Sequence, residues 1–276
     1  VRHCRANKGG SPPQKSPPPE PGGGAGGGCR PFGPVARSAY AACRCGQVIG
    51  NVRPLMPPLV RYFNEDNARA FVEEGAVLMR ALSYFRDYED DGVRSDEFEG
   101  TLVHRPLEGL RVKLQATGEE VLLPHTFEAT AKEDQIFVYC LSTELSASIA
   151  KRFQASVAVE IVEPIQFVAK LRAALNLRKR LRSHQLTHGP VKYYELHEPP
   201  IVDWALPERI ALRKPKHFDW QHEYRFAVPL GDAFAVENVQ TKLVPLGAVR
   251  PPREQAHPNL LLKLGNLKRL CHIHRL

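Results

Sequence analysis

The segment FDWQHEYRF, residues 218–226, gathers several side chains that could do chemistry. Period-two alternation predicts a strand whose apolar face carries Tyr224 and Phe226. Glu223 and Arg225 then share the opposite face, with Gln221 two positions before the glutamate. Such a face either lines a site or forms an exposed, solvated ion pair, which would contribute little to stability. The segment alone leaves both interpretations open.

Two earlier segments could complete a site with this one. Arg61 lies in the strand-like run VRYF, directly before a predicted helix. A planar guanidinium suits a pyrophosphate because it donates two parallel hydrogen bonds to paired oxygens. Ser142 ends the apolar run QIFVYCLS, Thr143 follows it, and the two open another predicted helix. They either cap that helix or place a hydroxyl where it can orient a ligand.

The order and approximate separations of these three segments resemble the R-S-E class of ADP-ribosyltransferases. The resemblance implies that Arg61 binds the phosphates of NAD, and that Ser142 and Thr143 belong to the motif that shapes the nicotinamide pocket. It also implies that Glu223 is the catalytic residue and that Gln221 orients the acceptor nucleophile. The middle motif departs from the family's Ser-Thr-Ser, because Glu144 follows Thr143 here.

The chemistry that the resemblance implies explains these residue types. Cleavage of the glycosidic bond of NAD builds positive charge on the ribose, and a carboxylate beside the sugar stabilises that charge as it develops. Our first hypothesis is therefore an NAD-dependent ADP-ribosyltransferase-like enzyme, a bacterial toxin or phage-defence effector, with NAD as its substrate. The acceptor, whether protein, nucleic acid or water, and the oligomeric state are not predicted.

A second resemblance leads to a different hypothesis. The late segment with Lys216, Glu223 and Arg225 looks like a widespread bacterial domain family of unknown function. No activity follows from that likeness, so the alternative function is a catalytically silent binding module.

A third hypothesis is a metal-dependent hydrolase or nuclease that uses the acidic segment 87–99. Hard oxygen ligands of this kind suit a divalent cation. The spacing matches no EF-hand, however, and an exposed, solvated acidic loop competes with this interpretation, so we assign no metal ligands. The side chains concerned are Asp90, Asp91, Asp96 and Glu99, together with Arg94. Near the carboxyl terminus, Cys271, His272 and His274 are too few for a zinc site, and we interpret them as part of a tail.

Residues 1–55 differ from the rest of the chain in composition. They are rich in Gly and Pro and carry almost no aliphatic periodicity. Such a segment cannot bury enough apolar surface to offset its loss of conformational entropy, so we predict that it is disordered. A second interpretation takes Met56 as the true start and residues 1–55 as upstream sequence translated in frame. Residues 56–276 are expected to form a single α+β domain.

The net charge of +8 is concentrated in that first segment. Residues 1–55 contain eight basic side chains and one acidic one, so residues 56–276 carry a net charge close to +1. This near-neutral remainder argues against nucleic-acid binding as the main function. A basic helix predicted over residues 167–185 keeps phosphate contact open as an alternative to a solvated face. Its cationic side chains are Lys170, Arg172, Arg178, Lys179, Arg180 and Arg182.

Periodicity and punctuation predict the elements that position these residues. Asn64 is the expected N-cap, and Gly75 the expected end, of a helix whose apolar stripe includes Phe71 and Val72. Strands are expected at VRYF, AVLMRAL, QIFVYCLS, SVAVEIV, VKYYEL, RIALR, EYRFAVPL and TKLVPLG, while residues 101–130 show only a weak pattern. Strands and helices do not alternate strictly, so we predict an α+β fold with a mixed, mostly antiparallel sheet and helices. The resemblance implies that this fold is ADP-ribosyltransferase-like.

Cysteine usage and hydropathy indicate the compartment. No apolar run approaches the ~20 residues that span a bilayer, and no secretory signal is evident, so no membrane partner is expected. Within residues 56–276 the only cysteines are Cys140 and Cys271. This usage favours a reducing, cytoplasmic compartment.

Overall fold

A mostly antiparallel sheet of eight strands forms the centre of the protein in a computed structural model that describes residues 56–86, 93, 95–248 and 257–276. All of these residues belong to one compact unit. The arrangement confirms the predicted α+β class with mostly antiparallel pairing; among the described residues the one parallel pair, β10 with β11, lies in a separate small sheet. The predicted disorder of residues 1–55 lies outside the described residues.

The described residues form the following elements. The strands are β1 Leu59–Phe63, β2 Ala76–Ala81, β3 Thr101–His104, β4 Leu110–Lys113, β5 Glu120–Leu123, β6 His125–Thr130, β7 Ile136–Ser142, β8 Val157–Ile161, β9 Thr187–Pro190, β10 Lys192–Tyr194, β11 Arg213–Pro215, β12 Glu223–Pro229, β13 Gln240–Pro245, β14 Asn259–Lys263 and β15 Cys271–Arg275. The helices are α1 Glu65–Glu74, α2 Leu82–Arg86, α3 Ala147–Arg152, α4 Pro164–Asn176 and α5 Pro207–Ile210. None of these helices is long and apolar enough to cross a membrane.

Helix α1 follows β1 directly and has the boundaries that the sequence predicts. The Asn64 side chain accepts a hydrogen bond of 2.9 Å from the Asn67 backbone N–H, which satisfies one of the free donors at the helix start. Gly75 ends the helix in the left-handed conformation, with φ of 66°. Phe71 and Val72 are buried in the main core. The predicted caps and apolar stripe are therefore confirmed.

Gly75→Ala is expected to destabilise the protein by more than the about 1–2 kcal/mol of a left-handed alanine. An added Cβ would lie 2.3 Å from the Gly265 carbonyl oxygen and 2.9 Å from Leu264 Cβ, so the backbone itself must move. Gly118→Ala is the matched control, because Gly118 has φ of 72° and nothing within 4 Å of its added Cβ. Urea unfolding of both variants measures the difference. Equal losses of unfolding free energy in the two variants would show that the close approach at Gly75 adds nothing to the destabilisation.

Strand β7 changes partner along one edge, and this change splits the sheet. On its other edge β12 pairs with the whole strand, from Ser142 opposite Glu223 to Ile136 opposite Pro229. Since a strand has only two edges, β2 and β1 must share the remaining one. Strand β2 pairs with residues 137–138 of β7, and β1 pairs with β7 only at Ser142. The sheet therefore opens between β1 and β2, beside the backbone of Cys140.

Strand β12 separates two hydrophobic clusters. Tyr224, Phe226 and Val228 lie in the main core with α1 and α4. Ala227 lies in a second cluster, beneath the smaller sheet of β3, β6 and β13. The predicted alternation of β12 is thus confirmed, and Glu223 and Arg225 alternate with the main-core side chains.

Several elements differ from the prediction. Residues 101–130 form β3 to β6, whose runs of four to six residues are too short to show clear alternation. RIALR was expected as a strand, but α5 ends at Ile210 and β11 begins at Arg213. Helix α4 ends at Asn176 rather than residue 185, and Leu177 beyond it is largely exposed. Four of the cations assigned to that helix therefore lie outside it.

The predicted tail is wrong, because Cys271–Arg275 is strand β15. It pairs antiparallel with β8, from Cys271 opposite Ile161 to Arg275 opposite Val157. Cys271 is buried in the main core, and burial raises the pKa of its thiol to about 12. His274 Nε2 lies 2.9 Å from the Glu160 carboxylate across the two strands. Pairing with a neighbouring strand, rather than metal binding, explains this segment.

Candidate functional site

A cavity of about 80 Å³ lies beside the split in the sheet. Four of the five predicted site residues line it: Arg61, Ser142, Gln221 and Glu223. Its other lining residues are Val60, Tyr62, Phe85, Cys140, Leu141, Phe153 and Lys214. The lining therefore combines aromatic walls with a small set of convergent polar groups, as ligand sites usually do.

The Arg61 guanidinium is held at the split. Its Nη1 donates to the Cys140 carbonyl oxygen, at a point where neither β1 nor β2 pairs with β7. The guanidinium carbon also lies 5.1 Å from the centre of the Tyr139 ring and 5.8 Å from that of Phe63. Its Nε is buried without a hydrogen-bond partner in the described part of the chain. Arg61 is thus fixed in place with a donor left unpaired.

Gln221 lies just before strand β12, and Glu223 is the first residue of that strand. Residues Lys216–Gln221 form a 3₁₀ turn, and His222 has the left-handed values φ 43° and ψ 48°. Strand β12 begins only at Glu223. The reversal at His222 nevertheless places both side chains at the same cavity. Positive φ at a residue other than glycine is uncommon and often marks a functional site.

Ser142 and Thr143 hold this turn instead of capping a helix. Ser142 Oγ donates to the Gln221 carbonyl at 3.0 Å. The backbone N–H and the hydroxyl of Thr143 both donate to the His222 carbonyl, at 2.8 Å and 3.2 Å. Helix α3 begins only at Ala147. The helix-cap interpretation is therefore wrong, and Thr143 contacts the turn without lining the cavity.

Glu223 belongs to a buried network of charges, which we call the charge cluster: Glu99, Lys214, Glu223 and Arg225. Arg225 is completely buried and donates to both oxygens of Glu99, at 2.6 Å and 2.8 Å. Its Nε donates to Glu223 Oε1 at 2.5 Å. Lys214 Nζ lies 3.2 Å from Glu223 Oε2. The interpretation of Glu223 and Arg225 as an exposed ion pair is wrong.

The charge cluster keeps Glu223 ionised. Burial alone would raise its pKa, but the charges of Arg225 and Lys214 outweigh burial and hold the pKa well below its usual range. Burial likewise would lower the pKa of Lys214, and the carboxylates of Glu223 and Glu99 raise it instead. Glu223 can therefore act through its negative charge, and it is a poor proton donor near neutral pH.

Lys214 is the site residue that sequence reasoning missed. The resemblance to the family of unknown function singled out Lys216, which is exposed and pairs with Glu195 at 2.9 Å. Lys214 lies two residues earlier in the three-residue strand β11 and is almost fully buried. A lysine between arginine and proline carries no local sign of burial. Only the pairing of β11 with β10 places it against Glu223.

Asp96 and Glu99 are buried, so the prediction of an exposed acidic loop is wrong for both. Glu99 is the partner of Arg225, and a buried cation requires such a countercharge. Asp96 Oδ1 accepts from the Phe98 N–H at 3.0 Å, and its Oδ2 has no hydrogen-bond partner among the described residues. Asp90, Asp91 and Arg94 lie outside the described residues. Within the described ranges no three potential ligands come together to hold a metal.

Asp96 is expected to make stability fall as pH rises from about 4 to about 7. Burial, and then the negative charge of Glu99, raise the pKa of Asp96 from 3.8 to about 7. Between pH 3.8 and about 7 the folded protein keeps the proton on Asp96, whereas the unfolded chain has lost it. The stabilisation from this proton is therefore complete below pH 3.8 and is lost as the pH rises through about 7. Asp96→Asn should flatten that slope and stabilise the protein at pH 7.5. Urea unfolding of both proteins across this pH range measures the free energy of unfolding. The same dependence on pH in the wild type and in Asp96→Asn would contradict the prediction.

A larger cavity of about 470 Å³ adjoins the inner one. Both are lined by Arg61, Tyr62, Phe85, Cys140 and Phe153, so they lie side by side, and we call the two together the cleft. The outer part also has Asn64, Asn67, Arg80 and Tyr84 on its walls. The Arg80 guanidinium lies 4.4 Å from the centre of the Tyr84 ring. The cleft thus offers a narrow polar end and a wide end with a second cation.

Comparisons of the chain with protein-family models, curated proteins and solved structures found no match. The side chains of the cleft are therefore the indication of its chemistry. The narrow end of the cleft presents the Glu223 carboxylate, whose pKa is lowered, and its wall presents the Arg61 guanidinium. A ligand that carries negative charge at one point and develops positive charge at another complements this arrangement.

Proposed function

We propose that this protein is an NAD-dependent ADP-ribosyltransferase-like enzyme. The observation that carries the proposal is the convergence of Arg61, Ser142, Gln221 and Glu223 on one cavity. These residues come from β1, the end of β7, a 3₁₀ turn and the start of β12. The three segments that carry the resemblance lie far apart in sequence, so their meeting at one cavity supports the proposal. The proposal extends to the fold, which we take to be ADP-ribosyltransferase-like.

The dimensions of the cleft suit NAD when its two ends lie in different parts. Ligand pockets usually measure about 300–1,000 Å³, so the inner cavity of about 80 Å³ takes only the nicotinamide end. The outer part, at about 470 Å³, takes the adenosine. Arg61 lines both parts, which puts it beside the pyrophosphate that joins them. The aromatic rings of Tyr62, Phe85 and Phe153 form walls against which a nicotinamide ring packs.

Glu223 contributes to catalysis in this proposal through its charge. As the bond between the ribose C1′ and the nicotinamide nitrogen lengthens, positive charge grows on the ribose. The ionised carboxylate stabilises that charge as it develops. The hydrogen bonds of Arg225 fix the carboxylate beforehand, so it need not reorganise during the reaction.

Nicotinamide release from NAD by the full chain tests the proposal. The assay is run with and without a cell lysate that supplies protein and nucleic-acid acceptors, and nicotinamide is measured by chromatography. Release in either reaction is the expected result. Absence of release in both contradicts the proposal. NAD binding without release, measured by calorimetry, would instead favour the binding module.

Arg61→Lys is expected to lower the affinity for NAD about ten- to a hundredfold, because charge-assisted hydrogen bonds contribute about 1.5–3 kcal/mol. Lysine keeps the charge but cannot form the planar fork. The phosphates are bound alike in the ground and transition states, so KM should rise while kcat changes little. Arg69→Lys on the exposed face of α1 is the matched control. A fall in kcat at unchanged KM would contradict the assignment of Arg61 to the phosphates.

A further inference from the structure

The Gln221 side chain is already bound at both ends. Its Oε1 accepts from Lys214 Nζ at 2.9 Å, and its Nε2 donates to the Val93 carbonyl at 2.7 Å. An ammonium can only donate, so Lys214 fixes which end of the amide is the oxygen. The side chain is 5% exposed. Gln221 is therefore part of the wall, and it does not present a free amide to an acceptor, as the resemblance implied.

The charge of Glu223 is likewise matched inside the protein. Arg225 Nε lies 2.5 Å from its Oε1, and Lys214 Nζ lies 3.2 Å from its Oε2. Lys214 also lines the inner cavity, so an entering cation meets an ammonium there. A guanidinium or ammonium acceptor would lose its hydration beside the Lys214 ammonium, which is strongly unfavourable.

The inner cavity offers little room for a macromolecular acceptor. It measures about 80 Å³, and its aromatic walls are Tyr62 on β1, Phe85 in α2 and Phe153 after α3. With the nicotinamide end of NAD in this small cavity, little of it is left for an acceptor, and water is the smallest acceptor. Water needs no dedicated selecting side chain.

Given the proposed function, we infer that the acceptor is water and that the protein is an NAD glycohydrolase. The bond between C1′ and the nicotinamide nitrogen breaks, and its electron pair stays on the nicotinamide. A water oxygen forms the new bond to C1′ and releases one proton to solvent. NAD⁺ and water thus give ADP-ribose, nicotinamide and H⁺, with no other reactant.

The test follows where the ADP-ribose goes. The full chain is incubated with adenine-labelled NAD and a lysate, and nicotinamide, free ADP-ribose and label on macromolecules are quantified together. Parallel reactions contain agmatine, a small guanidine, or methanol, a small neutral nucleophile. The expected result is one free ADP-ribose per nicotinamide, no agmatine adduct, and methyl ADP-ribose that increases with methanol concentration.

The outcomes separate this inference from the proposed function. Nicotinamide release with the label on protein, nucleic acid or agmatine would overturn the inference and leave the transferase proposal standing. Absence of nicotinamide release would overturn both. A lack of methyl ADP-ribose despite hydrolysis would show that the cavity does not admit small neutral acceptors, which contradicts the argument from its size.

Discussion

Glu223→Gln is expected to lower the rate of nicotinamide release by about 10²–10³-fold, the usual effect of removing one electrostatic stabiliser of a transition state. The substitution keeps the shape of the side chain and removes the charge. Because Glu223 acts on the developing ribose charge, kcat should fall while the KM for NAD stays nearly constant. Chromatographic rates at saturating NAD measure the effect.

The experiment must separate the effect of the lost charge on catalysis from its effect on folding stability. Glu223→Gln also weakens the ion pairs of Arg225 and Lys214, so its melting temperature is expected to fall. Rates are therefore compared at a temperature where both proteins are folded. Glu195→Gln is the matched control, since Glu195 is an exposed partner of Lys216. A Glu223→Gln variant that is folded and as fast as wild type would exclude Glu223 from catalysis.

Local signals predicted the parts of the fold that depend on near neighbours in sequence. The Asn64 cap, the end of α1 at Gly75 and the alternation of β12 can each be recognised from neighbouring residues in the sequence. The strand β7 was equally clear because its seven residues are almost all buried. These elements carry Ser142 and Glu223 and flank Arg61, which explains why the candidate site residues could be selected from sequence.

The charge cluster could not be predicted, because its contacts join distant parts of the chain. Glu99 lies 126 positions from Arg225, and its neighbours in sequence suggest an exposed acidic loop. The reversal at His222 also has no local signal, since glycine is the residue expected at positive φ. It is held by Ser142 and Thr143, whose sequence context indicates a helix cap instead. Long-range hydrogen bonds therefore decided both features.

Arg225→Met is expected to destabilise the protein by about 3–5 kcal/mol, because it leaves buried carboxylates without their partner. Glu99 and Glu223 would then share Lys214 alone, at 3.9 Å and 3.2 Å. Urea unfolding measures the loss. Arg111→Met is the matched control, because Arg111 pairs with Glu108 on an exposed surface and such pairs contribute about 0–1 kcal/mol.

A double substitution shows whether the loss comes from unpaired charge or from lost packing. Adding Glu99→Gln to Arg225→Met removes one of the carboxylates left unpaired and should recover part of the stability. Additive losses would instead mean that the contacts of the Arg225 side chain, including its 2.9 Å bond to the Ala211 carbonyl, account for the effect. Nicotinamide release should not recover with stability, because Arg225 also orients Glu223 through its Nε. A double variant that regains both stability and nicotinamide release would show that Arg225 stabilises the fold and has no role in orienting Glu223.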